Sequence, residues 1–76
     1  MSEPDEYPEV DEAILAFLES REATYLAVMA QELPFPVALL KRRCHWLAER
    51  GLLDRESNTY YAITEAGRRR LDGETE

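Results

Sequence analysis

Apolar side chains at Val10, Ala13, Ile14, Phe17 and Leu18 recur every three to four residues, the spacing that lines one face of a helix, and predict a first helix from Glu9 to about Ser20. Leu15 falls well away from that face, which makes it a tolerated surface leucine or part of a dimer contact. Leu26, Met29, Ala30 and Leu33 draw a second helical face, with Thr24 as its expected N-cap. That helix has to stop at Pro34, because residues before a proline are pushed out of the helical region. Pro34-Phe35-Pro36 therefore forms a tight corner, and Pro36 suits the first turn of a third helix running to about Arg50. In this helix Val37, Leu40, Cys44, Leu47 and partly Ala48 are expected to face inward, and Ala38, Arg42, His45 and Glu49 outward, with Gly51 as the C-terminal stop.

Beyond Gly51 the period changes. Leu52 to Glu56 and Tyr60 to Ile63 are short strand-like runs joined by Ser57-Asn58-Thr59, a turn composition, so a β-hairpin is expected with Tyr61 and Ile63 toward the core and Tyr60 outward. Thr64 and Glu65 open a short last helix containing Ala66 and Leu71, in spite of the helix cost of Gly67. Residues 1–8, with Pro4 and Pro8 among acids, read as an acidic flexible leader for which Tyr7 is a candidate anchor, and 72–76 as an acidic tail. The fold class that follows is mainly α with a small β-hairpin (α+β), as one domain over 9–71: three helices, a two-stranded hairpin and a short C-terminal helix.

Length and composition narrow the function. A chain of 76 residues builds one core. Its longest apolar run, Ala13 to Leu18, is six residues against the roughly 20 of a membrane span, and the acidic start lacks a secretory pattern, so a cytoplasmic protein with no membrane partner is expected. One cysteine, Cys44, and one histidine, His45, complete neither a disulfide nor a zinc site, and Cys44 on a core-facing position behaves as a small hydrophobe. No paired carboxylates, activated nucleophile or phosphate-cradling glycine loop is present, and Gly51, Gly67 and Gly73 are isolated. Neither catalysis nor a cofactor is expected.

Charge changes the picture more. The net charge is −7, and Lys41 is the only lysine among nine basic residues, a surface chemistry that suggests a halophile. Residues 1–33 hold nine acids against Arg21 alone, whereas residues 34–71 hold eight bases against Glu49, Asp54, Glu56 and Glu65. An acidic protein has thus gathered its positive charge into one contiguous half, the electrostatic footprint of nucleic-acid binding.

The order helix, helix, tight turn, helix, hairpin allows one helix to enter a major groove while the hairpin touches flanking backbone. Within residues 29–67, Met29-Ala30-Gln31-Glu32-Leu33, Leu40-Lys41-Arg42-Arg43-Cys44, Leu47-Ala48-Glu49-Arg50-Gly51-Leu52-Leu53 and Tyr61-Ala62-Ile63-Thr64-Glu65-Ala66-Gly67 stand at mutually consistent spacings. The segment resembles winged helix-turn-helix regulators of the MarR-like kind, most closely the very small haloarchaeal and halophage-repressor-like proteins, over roughly residues 10–71. The resemblance implies that Ala30 packs where the second helix crosses the third, that 36–50 is the recognition helix and 52–63 the wing, and that double-stranded DNA is the partner.

Arg42 projects outward, where a guanidinium reaches a guanine edge or a phosphate; Lys41 and His45 flank it toward phosphate. Arg55, Asn58, Thr59 and Tyr60 sit near the hairpin tip as candidate backbone or minor-groove contacts, beside the plainer reading of an exposed turn. Arg43 lies nearer the core edge, where pairing with acids of the first or second helix is expected. Arg68, Arg69 and Arg70 form a basic patch or complement a helix dipole. Many relatives place Ser, Thr or Lys where this chain has Val37-Ala38-Leu39, apolar groups that can contact thymine methyls. Leu39 and Trp46 share a stripe with Arg43 and Arg50, and an exposed apolar surface there would mark a protein partner. Two readings remain: a DNA-binding regulator, repressor-like and homodimeric on two half-sites, or a protein-interaction module docking through Leu39 and Trp46.

Overall fold

The computed structural model describes residues 8–21 and 23–72. The leader read over 1–8 lies outside the described residues except for Pro8, which opens a helix, and so does the tail beyond Asp72. The elements follow as α1 (Pro8–Glu19), β1 (Thr24–Tyr25), α2 (Leu26–Glu32), α3 (Val37–Glu49), β2 (Leu53–Ser57), β3 (Tyr60–Ile63) and α4 (Glu65–Leu71). The three strands form one antiparallel sheet in the order β1-β3-β2, giving the α+β winged-helix architecture.

The core gathers Ile14 and Leu18 from α1, Met29 from α2, Leu40, Cys44 and Leu47 from α3, and Leu53 and Tyr61 from the hairpin. The three- and four-residue spacing on α1, α2 and α3 turns these groups toward one another. The proline corner lets α3 start at once: Leu39 and Leu40 both donate their backbone N–H to the Pro36 carbonyl, at 3.1 and 3.0 Å. Gly51 ends α3 at φ +79°, the left-handed conformation that a Cβ disfavours. Thr64 caps α4 by accepting from the Gly67 N–H at 3.1 Å, and its hydroxyl donates to the Gly51 carbonyl at 2.7 Å, which ties the last helix to the end of α3.

Four expectations are corrected. Thr24 does not cap α2: it is buried in β1 opposite Tyr61, and Tyr25 takes the N-cap position without a side-chain cap bond. Leu15 is neither a surface leucine nor an outward contact, since it is 2% exposed. The reason is α4, which returns along α1 and places Leu15, Leu47 and Leu71 around one small hollow. Val37, expected inward, is half exposed. Leu39 and Trp46 form no open apolar stripe, because both pack against the core, and the guanidiniums of Arg43 and Arg50 each lie 4.4 Å from the Trp46 ring centroid.

Candidate nucleic-acid interface

Helix α3 is held by one side and presented by the other. Leu40, Cys44 and Leu47 anchor it in the core. Arg43 fixes its rotation: the buried guanidinium donates through Nε to Asp11 Oδ1 at 2.9 Å and through Nη2 to Asp11 Oδ2 at 2.8 Å, the two-pronged pairing expected of Arg with a carboxylate. Arg43 is therefore bound to helix α1, as its position at the core edge predicts. At 3.6 residues per turn, Val37, Lys41, His45, Ala38, Glu49 and Arg42 share an arc of about 140° on the other side, and all six are exposed.

The hairpin walls this arc on one flank. Arg55 pairs with Tyr61 in the strand register and Ser57 with Tyr60, so Glu56 is an extra residue on β2, a bulge that twists the tip and turns the neighbouring side chains. Between α3 and the hairpin lies a groove of about 430 Å³ lined by Lys41, Arg42, His45, Arg55, Asn58 and Tyr61. Three of the residues singled out in the third helix, Lys41, Arg42 and His45, and two from the hairpin run, Arg55 and Asn58, thus converge on one surface.

His45 links the two walls. Its Nδ1 lies 3.2 Å from Arg55 Nη1 and its Nε2 3.1 Å from Glu49 Oε2. A guanidinium only donates, so Nδ1 accepts from Arg55 and the ring proton sits on Nε2, where it donates to Glu49. The neutral imidazole thus holds the Arg55 head beside Lys41 and Arg42 and draws Glu49 away from them. Tyr61 forms the floor: its ring is buried, its hydroxyl donates to the Asn58 carbonyl at 3.4 Å, and burial pushes the phenol pKa up while the nearby Arg55 pulls it back. Alternation places Tyr61 in the core, but that it also lines the groove had no signal in the sequence. Glu49 was likewise readable only as an outward charge.

The structure does not bring every candidate to the groove. Tyr60 is on the opposite face of β3 from Tyr61, its ring centroid 4.5 Å from that of Tyr25. The Thr59 carbonyl accepts from the Leu26 N–H at 2.7 Å, so its backbone joins the hairpin to the start of α2. Leu39 is half-buried. Arg68 donates to the Glu19 carbonyl at 3.2 Å and Arg69 pairs with Glu65 at 3.4 Å, while Arg70 borders the hollow beside Asp11 and Glu12, so the arginines of α4 engage α1 and α4 itself. Cys44 is sealed in the core and its thiol is pushed up to about 12 by burial, with the Asp11 charge adding to the effect. Among the described residues, no three His, Cys, Asp or Glu side chains group to hold a metal ion, and no helix is long and apolar enough to cross a membrane.

Residues 6–76 match the family described as winged helix-turn-helix phage repressor. Among solved structures, the chain is similar to the PhiH1 repressor-like protein from Haloarcula marismortui, at 29% identity and a TM-score of 0.76, over 84% of this chain and 75% of that one. No curated protein matches it.

Proposed function

The chain belongs to the winged helix-turn-helix phage repressor family, and from that premise we propose that it is a repressor-like transcriptional regulator that lays α3 in the major groove of duplex DNA and sets the β2–β3 hairpin against the flanking backbone. The observation that carries this reading is the groove: Lys41, Arg42 and Arg55 surround it, and Asn58 stands at its edge. Arg42 is the base reader, its planar fork matching guanine O6 and N7, while Lys41 and Arg55 neutralise phosphates and set the register. A single module of this size covers only one short site, so the functional unit is a homodimer on two half-sites about one helical turn apart. Occupying an operator requires no catalysis.

A salt-rich cytoplasm is the setting, supported by the lysine-poor, acid-rich sequence and by the Haloarcula marismortui source of the similar repressor-like protein. In molar salt the screening length shrinks to about 3 Å, so close contacts contribute more to affinity than counterion release.

The test is fluorescence anisotropy on the native promoter and on random duplexes across a potassium chloride series. Arg42→Ala should abolish the promoter preference, whereas Trp46→Ala should lower stability and leave the affinity of the folded fraction nearly intact, because Trp46 packs on the core. The reverse pattern would favour a protein-docking module through Leu39 and Trp46, and absence of binding to any duplex would overturn the DNA reading.

A further inference from the structure

We infer that the start of α3 recognises the 5-methyl group of a pyrimidine, thymine in ordinary DNA, with Val37 and Ala38 as the reading surface; the inference rests on the reading of α3 as the major-groove helix. Val37 is 51% exposed, and with Tyr25 and Val28 it makes up the exposed large hydrophobics among the described residues. Tyr25 is partly covered by the Tyr60 ring. Val37 keeps half of its surface exposed, although the same helix sends Leu40, Cys44 and Leu47 fully into the core.

The chemistry at this end is unmixed. The first turn, Val37-Ala38-Leu39-Leu40, has no side chain that donates or accepts a hydrogen bond, and the N-cap is Pro36, which makes no side-chain cap bond. Recognition helices meet base edges with their N-terminal residues. An apolar end facing the major groove has one apolar feature to match, the pyrimidine 5-methyl. Leu39, half-buried against the core, is excluded from this surface.

Spacing adds a second element. Lys41 and Arg42 follow Val37 and Ala38 by four residues on the same exposed arc, a rise of about 6 Å, which is roughly two base-pair steps. The half-site should therefore carry a thymine about two base pairs from a guanine read by Arg42. A methyl contact releases no counterion, so it persists in concentrated salt while the phosphate contribution shrinks.

The experiment uses duplexes that the full chain enriches from a random library, with each thymine replaced in turn by deoxyuridine and affinity measured by competition anisotropy at low and at molar potassium chloride. One or two positions should lose about fourfold on removal of the methyl, the worth of one buried carbon. At the same position, 5-methylcytosine should exceed cytosine by a similar ratio. Both ratios should survive molar salt and collapse toward one in Val37→Ser/Ala38→Ser, whose fold is verified by circular dichroism. Duplex binding with no sensitive position, a cytosine pair with a ratio near one, or discrimination that persists in the folded double variant would each overturn the inference and leave the DNA reading standing. No enrichment of any duplex would overturn the DNA reading itself.

Discussion

Arg43 and Asp11 illustrate how far a single residue's role depends on its partner. Both are charged and both are buried, and each charge is matched by the other in a two-pronged contact. Removing the counter-charge of one buried member should cost about 3–5 kcal/mol, so Asp11→Ala should lower the urea unfolding free energy by about that amount, and adding Arg43→Met should recover a large part of it. If the double variant were no more stable than the single, the pair would not be the cause. Cys44 offers a pH prediction. Its thiol has a pKa of about 12 when folded against an ordinary 9.0. Above pH 9 the unfolded chain has lost the proton and the folded chain still holds it, so the unfolded state binds fewer protons and stability falls as pH rises toward 12. Subtracting the stability profile of Cys44→Ala from that of the wild type isolates this effect, and the difference should decline over that window and stay flat below it. Arg43 at the core edge and Cys44 on the inward face were legible from helical position alone. Leu15 was not, because its burial depends on a helix some fifty residues further along the chain.

At the scale of elements, the geometry of the groove depends on how α3, the hairpin and α4 are joined. Gly67 lies buried where α4 meets the hairpin base, and a Cβ there would strike the Leu52 carbonyl oxygen and come within 2.7 Å of the Ile63 side chain. Alanine would gain about 1 kcal/mol of helix propensity, yet a backbone atom cannot step aside cheaply, so Gly67→Ala should lower the melting temperature. Gly51→Ala meets no neighbouring atom and pays only for its left-handed φ, about 1–2 kcal/mol, and should be the milder change. A higher melting temperature for Gly67→Ala would show that the contact relaxes. Across the groove, His45 fastens Arg55 to Glu49. Under the proposed function, Arg55→Ala should weaken binding evenly over sequences and reduce the slope of log affinity against log salt by about one. An unchanged slope would remove the wing arginine from the phosphate contacts.

For the whole molecule, the question is how an acidic protein presents a cationic face. Helix α1 carries Glu9, Asp11, Glu12 and Glu19 and packs against the buried side of α3, while Lys41, Arg42 and Arg55 border the groove on the exposed side. Like charges crowd residues 1–33, and salt screens their repulsion. Potassium chloride should therefore raise the thermal midpoint of the free protein while it weakens DNA binding, opposite responses from one titration. A midpoint insensitive to salt would mean that the acidic half imposes no strain on the fold.

Local pattern by itself determined three helices, a hairpin and a short last helix, because each has its own signal: three- and four-residue spacing, the prolines at 34 and 36, Gly51 past a helix end, a turn composition at 57–59, and Thr64 with Glu65 at the start of the last helix. Segregation of charge along the chain marked the half that holds the groove, while only Lys41, Arg42 and Arg55 of its eight bases line it. Tertiary structure decided what no local window holds. A two-residue strand such as Thr24–Tyr25 exists only because β3 supplies its hydrogen-bond partners, so the residue that resembled a helix cap became a strand. Leu15 is buried because α4 folds back over it, and Trp46 is flanked by Arg43 of its own helix and Arg50 just past the helix end and packs against the core. The convergence of Arg42 and Arg55, thirteen residues apart, depends on the turn at Gly51 and the hairpin register. Which of the exposed residues share one groove is a matter of distance in space, and the chain acquires those distances only on folding.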